Sequence, residues 1–234
     1  MLLSIIIPVF NEEKTILKIL NQIENQKYIK KQILLVDDNS TDSSLIRIKK
    51  FKFKSKHKII THKNNQGKGK CIISAKKYIK GDIIIIQDAD LEYSPNDYKK
   101  ILQVFKNKKI YAVYGSRVLN KNRYGDKNFT STFRIFANHM LTIFSNIINN
   151  QQLTDAHTCY KAFRKNVFKR IKLYENGFSF CPEITTKLSN LKISIKEVPI
   201  RYNGRTFEDG KKIKIIDGFL ALITIVKYKF YKRT

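Results

Sequence analysis

Asp82-Ile83-Ile84-Ile85-Ile86-Gln87-Asp88-Ala89-Asp90-Leu91-Glu92 decides how this chain folds. Four consecutive isoleucines suit a strand covered on both faces, since a half-exposed strand would alternate apolar and polar residues. The strand is read as Asp82–Gln87. Three carboxylates follow at alternating positions. In extended chain alternate side chains point the same way, so Asp88, Asp90 and Glu92 can converge on one point. Carboxylates that close repel one another unless a cation joins them, and hard oxygen ligands suit Mg²⁺ or Mn²⁺. The plainer reading is an acidic turn before the helix opened by Pro95, whose N-terminus favours negative charge. The cation is preferred because a second buried strand also ends in carboxylates, Asp37-Asp38.

Strand and helix alternate on either side of this segment. Leu3–Pro8 and Gln32–Val36 are apolar runs that read as strands. Glu13–Gln26 carries Ile16, Ile19 or Leu20, and Ile23 at helical spacing. Thr41 or Asp42 caps a short helix through Ile48. Lys58–Thr61 reads as strand, Asn64–Lys70 as a loop with Gly67 and Gly69, and Cys71–Ile79 as helix. Pro95 opens a helix to about Phe105, and Tyr111–Ser116 is a fifth strand. This βαβ pattern predicts an α/β fold with a mainly parallel central sheet flanked by helices. Such sheets bind ligands at the carboxyl ends of their strands. The polar clusters Asn11-Glu12, Asp37-Asp38, Asp88–Glu92 and Arg117 all fall there.

The second half is less regular. Thr130–Ile148 reads as a helix with Phe133, Phe136, Met140, Leu141, Phe144 and Ile148 on an apolar stripe. Thr158–Arg164 and Ile193–Pro199 read as strands, Pro182–Leu191 as helix and Asn203–Lys212 as a polar loop. Ile213–Tyr231 reads as a final amphipathic helix with basic residues Lys227, Lys229, Lys232 and Arg233 at its end.

The chain has 234 residues, enough for a single domain with a sizeable core. Neither a transmembrane span nor a signal peptide is expected: apolar runs are too short, and the N-terminus lacks a basic lead and cleavage site. Cys71, Cys159 and Cys181 are odd in number and lack C-x-x-C spacing, so free thiols in a reducing compartment are expected. The formal charge of +27 favours anionic partners. A nucleic-acid-binding protein would use that charge, but it leaves the acidic cluster at the strand ends unexplained.

The segments Ser4–Glu13 (SIIIPVFNEE), Val36–Asp42 (VDDNSTD), Asn65–Gly69 (NQGKG) and Gln87–Asp90 (QDAD) occur in an order that resembles inverting family 2 glycosyltransferases of GT-A fold. Gly115-Ser116-Arg117 and the Tyr202–Lys212 segment resemble, more narrowly, the dolichol/polyprenyl-phosphate mannose synthase group. The resemblance covers nearly the whole chain. It implies one glycosyltransferase domain, with residues 1–117 as the nucleotide-sugar-binding half and 118–234 as the acceptor-binding half. It also implies that Pro8, Phe10, Glu12, Val36 and Asp38 hold the nucleoside, with Phe10 where the family commonly has Tyr. Asp88, Asp90 and Glu92 would surround Mg²⁺ or Mn²⁺, with Glu92 where the family often has Gln. Lys68, Arg205 and Lys211 would lie near the donor phosphates, and Arg117 and Arg134 would grip the acceptor's phosphate.

The implied reaction is inverting transfer of a hexosyl group, from a GDP-mannose or UDP-glucose type donor, to a polyprenyl phosphate. The enzyme would be cytoplasmic and peripheral at the inner face of the membrane. Transfer to a glycan or protein hydroxyl is the alternative. It requires a general base, for which Asp155 and Glu183 are the candidates. Asp155 is otherwise structural, or orients a basic group such as Lys161. Many relatives carry an acidic residue where His157 stands.

Overall fold

The strand of four isoleucines, Ile83–Ile86, lies at the centre of a seven-stranded sheet, with all four side chains buried. The computed structural model describes residues 1–120, 132–205 and 215–231. Among them the strands are β1 (Leu3–Val9), β2 (Lys31–Asp37), β3 (Lys56–Thr61), β4 (Ile83–Ile86), β5 (Ala112–Ser116), β6 (Lys161–Arg164) and β7 (Ile195–Pro199). Their order across the sheet is β3-β2-β1-β4-β6-β5-β7. The β1–β2, β2–β3, β1–β4 and β5–β7 pairs are parallel, and β6 runs antiparallel to both β4 and β5. The mainly parallel sheet expected from the sequence is therefore present, with one reversed strand inside it.

The helices are α1 (Ile16–Glu24), α2 (Ser44–Lys50), α3 (Lys68–Ala75), α4 (Tyr98–Val104), α5 (Thr132–Asn149), α6 (Lys165–Arg170), α7 (Phe180–Asn190) and α8 (Ile215–Phe230). Burying both faces of the sheet accounts for the unbroken apolar runs of β1, β2 and β4. Ile5, Ile6, Ile7, Ile33, Leu34 and Leu35 are all fully enclosed. Each contributes about 1.5–3 kcal/mol of burial.

Several elements start or stop away from their expected limits, for identifiable reasons. α1 begins at Ile16 rather than Glu13. The Glu12 and Glu13 backbone N–H groups donate instead to Ser44 Oγ and Asp42 Oδ2, at 2.8 and 3.0 Å, lacing the ends of β1 and β2 together. α3 begins at Lys68, three residues before Cys71, because Gly67 turns the chain with φ of +93°. Pro95–Asp97 forms a separate 3₁₀ turn ahead of α4, and Ser94 Oγ accepts from Asn96 N. The short α6 has no periodic signature and was not expected.

Among the described residues no helix is long and apolar enough to cross a membrane. Cys71, Cys159 and Cys181 are free and buried. α5 and α8 pack together, Gly218 lying opposite Leu141, and α8 buries Ala221, Thr224, Ile225 and Tyr228 inward. Their other faces stay apolar and exposed: Phe136, Met140, Ile143 and Ile147 on α5, and Phe219, Ile223 and Phe230 on α8. Of the stripe predicted on α5, Phe136 and Met140 are exposed and Leu141, Phe144 and Ile148 half-buried, while the face turned inward carries Ile135, Thr142, Ser145 and Asn149. Lys232, Arg233 and most of the Asn203–Lys212 loop lie outside the described residues.

Candidate active site

The carboxyl ends of β1, β2 and β4 meet on one edge of the sheet. Pro8 and Val36 are register partners, and Asp38 N donates to Val9 O at 2.8 Å. Asn11 and Asn39 take left-handed backbone angles, with φ of +51° and +61°, and turn both strands out of the sheet. Asn11 Oδ1 accepts from Thr41 N at 2.8 Å, so the two turns are joined. Pro8 and Phe10 are half-buried at this edge, whereas the Val36 side chain is enclosed in the core.

Asp38 is almost wholly buried, and both of its oxygens accept hydrogen bonds. Gln66 N and His62 Nδ1 meet Oδ1 at 2.9 and 2.6 Å, and Gly67 N meets Oδ2 at 2.7 Å. His62 Nε2 lies 2.9 Å from Ser74 Oγ on α3. Asp38, His62 and Cys71 also bring their ligand atoms within 4.8 Å of one another. Their chemistry suits a hydrogen-bonded network. Burial, then the charges of Asp38 and Asp37, push the Cys71 thiol far up, so it stays protonated. His62 was not singled out from the sequence. Its one signal was its place just past the end of β3, beside Asp37-Asp38.

Past β4 the chain does not stay extended. The strand stops at Ile86, the next residues turn, and Leu91 has φ of +67°. Asp88, Asp90 and Glu92 therefore do not converge as alternate residues of a strand would. Asp88 and Glu92 lie near enough for their charges to act on Asp90, but among the described residues the three do not gather their oxygens as tightly as Asp38, His62 and Cys71 gather their ligand atoms. Asp90 Oδ1 accepts from Glu92 N at 3.0 Å. Burial first, then the Asp88 and Glu92 carboxylates, push Asp90 up to about 7.

Each neighbour of Asp90 has a cationic or backbone partner. Asp88 Oδ1 accepts from the Lys68 ammonium. Burial works against the Lys68 charge, but Asp88, together with Cys159 and Cys181, holds the ammonium well above the usual lysine value. Glu92 turns toward the 202–205 segment, where Tyr202 Oη donates to Oε2 at 3.0 Å and Arg205 N to Oε1 at 2.8 Å. An isolated antiparallel bridge, Tyr93 to Tyr202, lays that segment along the acidic turn. Arg205 then reaches across the edge. Its Nε donates to Asp90 O at 3.0 Å and its Nη2 to Glu12 Oε2 at 2.6 Å. Glu12, Asp90, Glu92 and Arg205 are thereby tied together from three distant parts of the chain.

Arg117 leaves the end of β5 and forms a two-pronged pair with Asp155, Nε to Oδ2 at 2.7 Å and Nη2 to Oδ1 at 2.8 Å. Its backbone N–H also donates to Asp155 Oδ2, and its guanidinium lies 5.1 Å from the Tyr202 ring centre. Asn138 Nδ2 on α5 donates to Asp155 Oδ1 at 3.3 Å. Burial alone would raise the Asp155 carboxyl, but Arg117 holds it below the usual range. The basic partner of Asp155 is thus Arg117, not Lys161. Glu183 is fully buried and accepts from Tyr174 N, Glu175 N and Lys187 Nζ at 2.8, 2.9 and 2.8 Å. It fixes the loop before α7. Both carboxylates named as bases are engaged in holding the fold. Arg134 is in the first turns of α5, though its side chain is outside what the structure describes, as is Lys211 altogether.

Lys161 is buried and donates to Ala156 O at 2.8 Å, its ammonium 3.5 Å from the Tyr114 ring centre. Burial pushes it down to about 8, against the charges of Cys181, Cys159 and Asp155, while Arg117 and His157 are the nearby basic groups. In the unfolded chain it returns to about 10.4, so between those values the unfolded state binds more protons and stability rises with pH. Lys161→Met removes this dependence. Its stability relative to wild type is expected to fall by about 3 kcal/mol between pH 7 and pH 10.5. Urea unfolding at the two pH values checks this, and an unchanged difference would mean that Lys161 titrates normally.

The sequence profile described as Glycosyl transferase family 2 matches residues 4–172, well over half of the chain. The chain belongs to glycosyl transferase family 2. Two curated relatives of this family 2 glycosyltransferase carry informative names. It is 29% identical to the UDP-N-acetylglucosamine–dolichyl-phosphate N-acetylglucosaminyltransferase of Methanococcus voltae, over 99% of this chain and 97% of that one. It is 26% identical to the dolichol-phosphate mannosyltransferase of Pyrococcus furiosus, spanning 91% of this chain but 61% of that longer one. Among solved structures, glucosyl-3-phosphoglycerate synthase from Mycobacterium tuberculosis, in complex with Mn²⁺ and UDP-glucose, superposes with a TM-score of 0.70. That match has 14% identity and covers 97% of this chain and 78% of the other, which establishes the GT-A fold of the glycosyltransferase.

Proposed function

We propose that this family 2 glycosyltransferase moves a sugar from a nucleoside diphosphate donor to a polyprenyl phosphate at a membrane surface. The observation that carries this reading is the fate of the two candidate bases. A hydroxyl acceptor needs a placed general base. Asp155 is held below the usual carboxylate range by Arg117, and Glu183 is filled by two backbone N–H groups and Lys187. A phosphate monoester has a second pKa near about 6 and is largely anionic at pH 7, so it needs no base. The names of the Methanococcus voltae and Pyrococcus furiosus relatives agree with a lipid-phosphate acceptor.

In this reading residues 1–117 hold the donor and residues 118–234 the acceptor. Pro8, Phe10, Glu12, Val36 and Asp38 shape the nucleoside end, Phe10 offering a ring face and Asp38 holding the Gln66–Gly67 turn. Arg205 and Lys211 serve the donor phosphates. Arg117 is held in place by Asp155, and together with Arg134 it orients the acceptor phosphate. The exposed faces of α5 and α8, with Lys227 and Lys229 near the end of α8, rest on the lipid that carries the acceptor.

Burial, and then the charges of Asp88 and Glu92, push Asp90 up to about 7, and hard carboxylate oxygens under that repulsion fit a divalent cation, which would relieve it. Asp88 and Asp90 would hold Mg²⁺ or Mn²⁺, with Glu92 beside them. The ion would supply charge stabilisation to the departing diphosphate.

The test supplies polyprenyl phosphate in detergent with radiolabelled UDP-N-acetylglucosamine, UDP-glucose or GDP-mannose in turn, each with Mn²⁺. Label from one donor is expected in the organic phase. Label that instead precipitates with protein or polymer would transfer the assignment to a hydroxyl acceptor.

A further inference from the structure

We propose that Lys68 is a tethered cation competing with the divalent ion for Asp88, so that the metal binds weakly by itself and enters with the nucleotide. The inference rests on the metal-dependent reading above and adds an order of events to it.

Three observations support it. Lys68 Nζ donates to Asp88 Oδ1, and the two side chains keep only 13% and 11% of their surface exposed. The rings of Phe178 and Phe180 each lie 5.9 Å from the ammonium, so the pair sits against apolar faces that also favour a cation. Where water is excluded, a charge pair is stronger than in solvent.

The backbone that carries Lys68 is fixed from below. Gln66 N and Gly67 N donate to the two oxygens of Asp38, and His62 links Asp38 to Ser74 on the same helix. Lys70 N donates to Asn176 O at 3.0 Å. Gly67 passes so close to that carbonyl that an added Cβ would lie 2.6 Å from it. The start of α3 therefore has little room to move.

The Lys68 stem is the flexible part. Four methylenes let an ammonium swing several ångströms from a fixed backbone. A divalent ion on Asp88 places like charges together and favours that swing. A diphosphate gives the displaced ammonium a new anionic partner. Metal and nucleotide then favour each other's binding, and the coupling is reciprocal. No bond is made or broken in this exchange.

Mn²⁺ titration followed by electron paramagnetic resonance, with and without UDP or GDP, tests the proposal. Wild type is expected to bind Mn²⁺ at least about tenfold more tightly with its nucleotide than without. Lys68→Met should bind Mn²⁺ alone about tenfold more tightly than wild type and lose most of the nucleotide effect. Lys68→Arg, which keeps the charge, should retain weak binding of Mn²⁺ alone. Lys68→Gln repeats the test should the methionine variant misfold.

A folded Lys68→Met or Lys68→Gln that binds Mn²⁺ no more tightly than wild type overturns the role of Lys68, even where nucleotide-dependent binding persists. Equal Mn²⁺ affinity of wild type with and without nucleotide overturns it with no variant needed. No Mn²⁺ binding with either nucleotide would reject the metal-dependent reading itself.

Discussion

Asp90→Ala is expected to leave the fold intact and to lower sugar transfer about a hundred- to a thousandfold. The carboxylate lies in a turn, not in the sheet. Its one side-chain bond to the backbone, from Glu92 N, is worth about 1 kcal/mol. Against that loss stands relief of a buried carboxylate, which burial first and then the charges of Asp88 and Glu92 push up to about 7. Stability should therefore hardly change or even rise. The steady-state rate with saturating donor, beside a thermal unfolding curve, separates the two effects. A folded variant with near wild-type turnover would take Asp90, and the cation with it, out of the reaction.

The opposite pattern is expected for Asp155→Ala. Asp155 is fully enclosed and carries the Arg117 guanidinium on both oxygens, with the Arg117 backbone N–H and Asn138 as further donors. Truncation leaves a largely buried cation without its partner, which costs about 3–5 kcal/mol. Equilibrium urea unfolding at pH 7 reads this directly. A loss under about 1 kcal/mol would mean that Arg117 turns to water and that the pair contributes little.

These two residues also show what could be read in the sequence. Asp90 was legible because it follows an unbroken apolar strand, and such a strand carries its own signature. β1, β2 and β4 were found for that reason. The Arg117–Asp155 pair joins residues 38 positions apart, and no local pattern links them. Asp155 was noted, but as a base or as the partner of Lys161. The Arg205–Glu12 link spans 193 positions and depends on the Tyr93–Tyr202 bridge, which one chain read locally cannot reveal. The three carboxylates after β4 were seen, yet the period-2 rule was carried past the end of the strand. Leu91, in a left-handed turn that is uncommon for a branched apolar side chain, marks where that rule stopped applying. His62 was missed because its meaning lies in the distance between two strand ends.

The reversed strand β6 has a consequence for how the molecule is made. It lies between β4 and β5, although more than 40 residues separate it from β5 along the chain. A nascent chain that has passed residue 117 has all of β1 to β5 but no neighbour for the open side of β4. That side is a run of isoleucine with unpaired peptide groups, the sort of edge that recruits other chains. A fragment ending at residue 117 should therefore clump during expression, and residues 1–117 and 118–234 should not be obtainable as separate soluble pieces. Closing the sheet late, through a contact distant along the chain, also makes for slow folding.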